Sequence, residues 1–460
     1  MANSTRDDDY NYMKIVDAMA SINQRVNLIG IVAEASLPKH SNGTDYFCSV
    51  KLIDESRTGP GIAVTFFAET MEKLPRIESI GDIIILTRVT MKAHCSDVYA
   101  TYLKKYSSFA LFEGKHSSRN VVPYQASPNF RAREQDKPFV AKLRESMKIE
   151  ADLNNLSPLK EMKEGEHINL LCKVLHLCEV TKDDWMLFVW DGTDTPPASI
   201  EAKLENEMED PLPLQLEASP LSRDTLCTFP PVGTVLRMVT DRGNKKLGIN
   251  FLKPNKWVKV VQVKCEVHAG LWRAVLMPSS MVYYLPNNDL ILERERSYNE
   301  RVTSKFKRMP LSCFPGPSPI TDTDYPDVPF VTLMNVLTHP EVTFKFNCVV
   351  RVVAAFPWRV EDFCNPQGIY RVRLTLEDPT ARIYAFLYAE DGVQFFGSRN
   401  TVELMRKMKE LLGMTEGDGC QKVISRNPPW IQCCLKSYYI DKANIWGSRN
   451  YRIFATTFVG

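Results

Sequence analysis

Apolar residues along this chain gather into long strand-like runs at 26–35, 168–180 and 342–355, and each run is followed by the same event. In the sharpest copy, Leu187, Phe188, Val189 and Trp190 run into Asp191 and Gly192 and then a Thr/Pro turn at 193–196. Asp suits that place because its carboxylate can accept from turn N–H groups, and Gly because it tolerates φ > 0. An earlier copy runs through 50–53 to Asp54, turns at Thr58, Gly59 and Pro60, and resumes at 62–67. A later one runs through 372–377 to Asp378, turns at Pro379 and Thr380, and resumes at 381–386. One strand–turn–strand unit is used three times.

The surroundings of each unit extend the pattern. After the first, 68–77 is expected to turn as a short helix, followed by strands at 82–92 and 106–112. After the third, Val402, Leu404, Met405, Met408, Leu411 and Leu412 fall at helical spacing over 400–412, with Gly413 as the stop. Strands at 430–440 and 451–458 follow. Three strands, a helix and two strands is the order of the OB-fold, a small Greek-key barrel. The chain is therefore expected to be mostly β with short helices, in three tandem OB-fold domains at 10–135, 150–303 and 328–460. The Pro- and Ser-rich stretch 304–327 is read as a linker, and 138–148 as a basic helix between the first two domains. Residues 200–231 form an acidic, Pro-containing insertion between strands of the second domain, long enough to expect a role for it.

Composition narrows the function. The 460 residues suit about three domains. No apolar run approaches the ~20 residues that cross a bilayer, and the acidic start 1–9 is not expected to act as a secretory signal. Twelve Cys without a paired framework, with Cys172 and Cys265 inside apolar strands, suggest reduced, buried thiols. Cys364, Cys420, Cys433 and Cys434 lack metal-ligand spacing, because Cys433 and Cys434 are adjacent within a strand. No P-loop, HExxH or GxSxG motif is present. The reading is of a non-enzymatic protein with no cofactor.

A net charge of +2 argues against coating duplex DNA by bulk electrostatics. Single strands ask for less, namely local cations along a groove and aromatic rings for stacking. Tyr99, Tyr102, Lys104, Lys105 and Tyr106 make one such mixture, and Trp257, Lys259, Lys264, His268, Trp272 and Arg273 another. Along the latter strand, alternation predicts Val261, Val263, Cys265 and Val267 on one face, opposite Gln262, Lys264, Glu266 and His268. From spacing alone, an ordinary solvent-facing side is the preferred reading of that polar face. Phe66 and Phe67 must point opposite ways, and Phe67 is expected outward. Trp190 is expected in the core, and Asp54 and Asp191 are expected to cap turns.

Asn42-Gly43-Thr44-Asp45-Tyr46, Thr65-Phe66-Phe67, Gly81-Asp82-Ile83-Ile84 and the run from Phe109 to Gly114 resemble the first OB-fold of the protection-of-telomeres family. The Val189-to-Pro196 stretch, Val232-Gly233-Thr234 and Val267-His268-Ala269-Gly270 resemble its second. The resemblance implies a nuclear protein that binds the single-stranded, G-rich 3′ overhang of telomeres, protects it and regulates telomerase access. By position, Thr44 and Asp45 would meet base edges, Phe67 would stack, and Tyr99, Tyr102, Lys104 and Lys105 would hold backbone and further bases. His94 stands where the family has an aromatic. In the second fold Lys264, His268 and Trp272 would contribute. The third domain would dock telomere-capping proteins; a large insertion that some members carry there is missing, so the chain resembles the shorter plant members. Two other readings stay open: an accessory subunit of telomerase acting through protein or telomerase RNA contacts, and a general single-strand binder.

Overall fold

The computed structural model describes residues 11–460 apart from 42, 96, 115–120, 147–154, 182–183, 241–248, 250–251, 286–288, 305–306, 326–327 and 415–424. The acidic start 1–9, Asn42 and Cys420 lie outside the described residues. Three five-stranded barrels follow one another, each with the same order of pairing.

In the first, helix α1 (Ile15–Ala20) precedes β1 (Arg25–Ser36), the short β2 (Lys39–His40), β3 (Tyr46–Asp54), β4 (Arg57–Ala68), β5 (Ile83–His94), β6 (Asp97–Tyr102) and β7 (Ser108–Phe112). β1 pairs antiparallel with β3 and β5, β3 with β4 and β5 with β6; β6 closes the barrel by running parallel to β4. The expected closing strand at 106–112 is thus corrected: β7 adds to the outside of β5, and the closing strand lies ten residues earlier. The β5–β6 turn was invisible to pattern because no Gly or Pro marks it, Cys95 taking φ 55° there. The expected helix at 68–77 is a single 3₁₀ turn, Met71–Lys73. Strand β8 (Gln125–Ala126) and helix α2 (Asp136–Ser146) lead out of the barrel.

The second barrel comprises β9 (His167–Thr181), β10 (Asp184–Trp190), β11 (Leu236–Thr240), β12 (Trp257–His268) and β13 (Leu271–Tyr284), with α3 (Arg223–Cys227) inside the insertion and α4 (Asp289–Thr303) after the last strand. β11 and β13 make the parallel closure. The predicted face of β12 changes sides midway. A bulge at Gln262, with φ 58°, shifts the register between Val261 and Val263, so Val258 and Val260 share the core with Val263 and Cys265 while Val261 faces out. Ser280 Oγ donates to the carbonyl of Gln262 at 2.5 Å and Asn169 Oδ1 accepts its N–H at 3.0 Å, which holds the bulge.

The third barrel follows β14 (Thr321–Thr323) and α5 (Leu333–Thr338). It contains β15 (Lys345–Phe356), β16 (Arg371–Glu377), β17 (Arg382–Tyr388), α6 (Glu390–Phe396), α7 (Thr401–Leu411), β18 (Ile431–Tyr439) and β19 (Arg449–Ile453), with β20 (Thr456–Phe458) beyond it. α7 starts at Asn400, whose side chain accepts from Val402 and Glu403, and ends before Gly413 at φ 61°, where a Cβ would meet the Asn427 carbonyl oxygen at 2.0 Å. The stretch 304–327 is not a free linker: β14 pairs with β20, Cys313 is buried, and Leu311 N donates to Asp194 at 2.7 Å.

One device recurs in all three barrels. At the end of the second strand, Asp54, Asp191 or Asp378 accepts from the turn, and its carboxylate also accepts the N–H that opens the element before the first strand. Those N–H groups belong to Ile15, Leu159 and Leu333, at 2.8, 2.9 and 2.7 Å. Gly192, with φ 91°, takes the backbone turn that the Asp191 copy needs.

The barrels are joined by packing as well as by chain. Leu37 leaves the end of β1 and is buried in the core of the second barrel, and Lys39 Nζ donates to the carbonyls of Pro278 and Ser280 at 2.6 Å. The insertion 200–231 crosses onto the third barrel, where Ile200 and Leu212 pack with Val353 and Ala354. Arg351, fully buried, donates to the carbonyls of Ala198 and Pro428 and to Glu377.

Removing the Asp378 carboxylate would leave the buried N–H groups of Leu333, Thr380 and Ala381 without their acceptor. At about 1–3 kcal/mol for an unpaired buried group, Asp378→Ala should destabilise the protein by about 3 kcal/mol or more in chemical denaturation; a loss within error of zero would remove Asp378 from its role. Burial outweighs the donors around this carboxyl and pushes it up to about 6. With its folded value above the unfolded one of about 3.9, the stability tied to the protonated form is complete below the unfolded value and is lost as pH rises through about 6. As pH rises from about 4 to about 7, the stability deficit of Asp378→Asn against the unsubstituted protein should narrow in denaturation measured at each pH, because the amide has no proton to lose.

Candidate nucleic-acid interface

Strands β3 and β4 send alternate residues to opposite sides. Cys48, Val50, Val64 and Phe66 fill the core, so Phe47, Ser49, Thr65 and Phe67 face out. Phe47 and Phe67 are directly opposite in register, with ring centroids 6.0 Å apart and planes at 31°. They form a half-buried aromatic platform on the first barrel's outer face, at the end of the β3–β4 hairpin away from its turn. Tyr99 of β6 lies on the same side, beside Ala63 and across from the exposed Lys92. His40 meets Tyr46 edge-on at 5.0 Å on the other side of the sheet, where Tyr46 packs against the core.

Cations border the platform. Arg25 and Lys105 lie over the exposed ring of Tyr106, at 4.8 and 5.5 Å from its centroid. Lys104 Nζ is 3.2 Å from Asp45 and 3.3 Å from Glu69. Asp45 leads the causes that hold the Lys104 ammonium above its usual range, while Lys73 and then Lys104 hold Glu69 below the carboxylate range. An unpaired phosphate contact is therefore more available from Lys105 than from Lys104. Such a surface, flat rings flanked by cations, can stack bases and track a phosphate backbone.

The sequence-selected residues fall out as follows. Thr44 is exposed and Asp45 half-buried at the edge of the face, and Phe67 points outward as expected. His94 is exposed at the tip of the β5–β6 hairpin, opposite Asp97. Tyr102 needs correction. Three residues from Tyr99 on one strand, it must point the other way, and its ring stacks on Phe66 at 5.1 Å and meets Phe109 at 5.8 Å inside the core. Phe47 was missed; only knowledge of which residue opposes Phe67 would have singled it out. Tyr106 and Arg25 were missed as a pair because their contact joins the start of one strand to a turn some eighty residues on.

In the second barrel, His268 is exposed beside the β12–β13 turn. Lys264 is bound to Glu266 at 3.0 Å, and with Arg273 it holds that carboxyl below its usual range. Trp272 is half-buried, its Nε1 donating to the Pro196 carbonyl at 2.7 Å. The outer face of β10 and β11, equivalent to the Phe47–Phe67 face, is covered. Phe188 is fully buried under Phe229 of the insertion, 5.4 Å between centroids, and joins a cluster with Met186, Val235 and Met334 of α5. Arg237 lies over Phe188 at 5.5 Å and is tied to Glu217 of the insertion.

Among the described residues no group of three or more His, Cys, Asp and Glu is placed to hold a metal ion. No helix of the described residues is long and apolar enough to cross a membrane.

Comparison with known proteins adds ancestry to this geometry. The model of a family described as "Telomeric single stranded DNA binding POT1/CDC13" matches residues 6–155, and one described as "POT1A-like, OB fold domain" matches 316–444. Protection of telomeres proteins 1b and 1a of Arabidopsis thaliana are 41% and 40% identical to this chain, over 98% and 96% of it and 98% and 97% of their own lengths. A solved structure of fission yeast Pot1 with ssDNA spans 63% of this chain and 95% of its own at 17% identity, with a TM-score of 0.26. With two-fifths of its residues shared along almost the whole length of those relatives, this chain belongs to the protection of telomeres family.

Proposed function

We propose that this protein binds the single-stranded, G-rich 3′ end of telomeres on the outer face of its first barrel, shields that end and governs telomerase access to it. The observation that carries the proposal is the outward Phe47–Phe67 platform flanked by Tyr99, Lys105 and Tyr106 on a barrel whose residues match the telomeric single-strand-binding family. Bases stack on the paired rings, Lys105 and Arg25 follow the backbone, and Thr44 and Asp45 meet base edges at the rim. His268, Trp272 and Lys264 of the second barrel's hairpin would border the path of the strand rather than form its floor. The mechanism is sequestration and involves no bond chemistry, and it places the protein in the nucleus at chromosome ends. Telomere-capping proteins would dock on the third barrel, where α7 leaves Val402 and Met405 exposed.

Fluorescence anisotropy tests the proposal with a G-rich telomeric strand, a shuffled strand of equal composition and the matching duplex. The ordered single strand should win clearly. Equal binding to both single strands would indicate a general binder, and no binding to any would move the protein's work to telomerase or its RNA. Phe67→Ala should weaken the telomeric strand by about 1–3 kcal/mol, the worth of one base stack, with the fold intact by circular dichroism; unchanged affinity would take Phe67 out of the site. Lys105→Ala should weaken all single strands alike and reduce the slope of log affinity against log salt by about 0.7, one phosphate contact.

A further inference from the structure

Because one topology is used three times, the faces made by the second and third strands of each barrel can be set side by side. The first is open and aromatic, and the second is sealed by its own insertion. The second is closed to a strand, but the third, like the first, combines outward rings with cations.

On β17 the inward residues Ile383, Ala385 and Leu387 belong to the core, which turns Tyr384, Phe386 and Tyr388 outward in a row at strand period. On β16, Arg371 stands opposite Tyr388 and Arg373 opposite Phe386. Arg373 lies 4.3 Å over the Tyr384 ring, and Arg452 of β19 lies 5.5 Å over Tyr388. Tyr388 is 40% exposed. The Nε atoms of Arg373 and Arg452 are buried without a hydrogen-bond partner among the described residues. Two carboxylates touch these cations: Glu207 of the insertion meets Arg373 at 3.1 Å, and Asp391 is shared by Arg452 and by Lys436 at 3.3 Å. The far end of the face, at Glu377 and Arg382, is closed by contact with the second barrel, where Arg382 donates to the carbonyls of Pro213 and Ala269.

We infer that the open half of this face is a second site for single-stranded DNA, taking a later segment of the strand whose first segment lies on the first barrel. The inference rests on the function proposed above. Three rings at strand spacing present successive platforms for bases, and Arg371, Arg373 and Arg452 outnumber the carboxylates that touch them, as a polyanion requires. With the equivalent face of the second barrel covered, the open faces made by second and third strands are those of the first and third barrels.

The test uses the full chain and G-rich strands of about 8 and about 40 nucleotides, the shorter one filling a single barrel. The unsubstituted protein should hold the longer strand more tightly than the gain in binding registers explains. Arg371→Ala with Tyr388→Ala should weaken the longer strand about tenfold or more and leave the shorter one unchanged. Phe386→Ala, judged folded by its melting curve, should do the same. Long-strand affinity unaltered in both variants would overturn the inference. So would loss of binding to a labelled poly-glutamate peptide with the long strand unaffected, which would make the face a protein-docking surface. The two readings fail separately: Phe67→Ala without effect on the shorter strand counts against the first barrel, whereas the third-barrel variants are read on the longer strand.

Discussion

A carboxylate at the end of the second strand sets the frame for everything else in this protein. Asp54, Asp191 and Asp378 each gather the N–H groups of the turn and one from the element that precedes the barrel. Buried N–H groups need acceptors, and a single short anion serves several at once where backbone pairing would need another strand. The second and third strands are thereby held in register, and those two strands carry the outer face that differs most from one barrel to the next.

With the frame constant, the three faces differ in what covers them. Phe47 and Phe67 keep solvent on one side because the loop after β3 is a tight hairpin. At the corresponding place the second barrel carries the long insertion, whose Phe229 closes over Phe188. The same insertion then spans to the third barrel, where Ile200 and Leu212 become part of a shared core. A segment that reads as an acidic loop is therefore the clamp between two barrels. Two of its acids bind arginines: Glu217 holds Arg237 and Glu207 holds Arg373. Burial raises the Glu207 carboxyl above its usual range, and Arg373 and Arg426 draw it back down.

Buried arginine makes the second contact rigid. Arg351 and Arg382 meet at Glu377 and spend their remaining donors on carbonyls, several of them in the second barrel. A guanidinium can be buried only where its donors are nearly all met, so the geometry admits little sliding. The joint between the first two barrels is of a different kind, with an apolar anchor, Leu37, and an ammonium, Lys39, seated on two carbonyls. Burial holds that ammonium below its usual range.

The barrel architecture was legible in the sequence because strand period, the Asp-centred turns and the helix at 401–411 are local. The resemblance in residues such as Gly43-Thr44-Asp45-Tyr46 carried the family. Alternation required Phe66 and Phe67 to point opposite ways, and in the structure Ile62, Val64 and Phe66 share the core side, which leaves Phe67 outward. Where local pattern lacked a marker it misled. The β5–β6 turn has no Gly or Pro, so the closing strand was placed too late and Tyr102 was put on the wrong side. The Gln262 bulge moved Val261 across the sheet. What the tertiary structure alone decided is which faces are open. Phe229 over Phe188, Phe47 opposite Phe67 and Arg373 over Tyr384 are contacts between residues distant in sequence or set by strand pairing, and register and docking emerge only when the whole chain is packed.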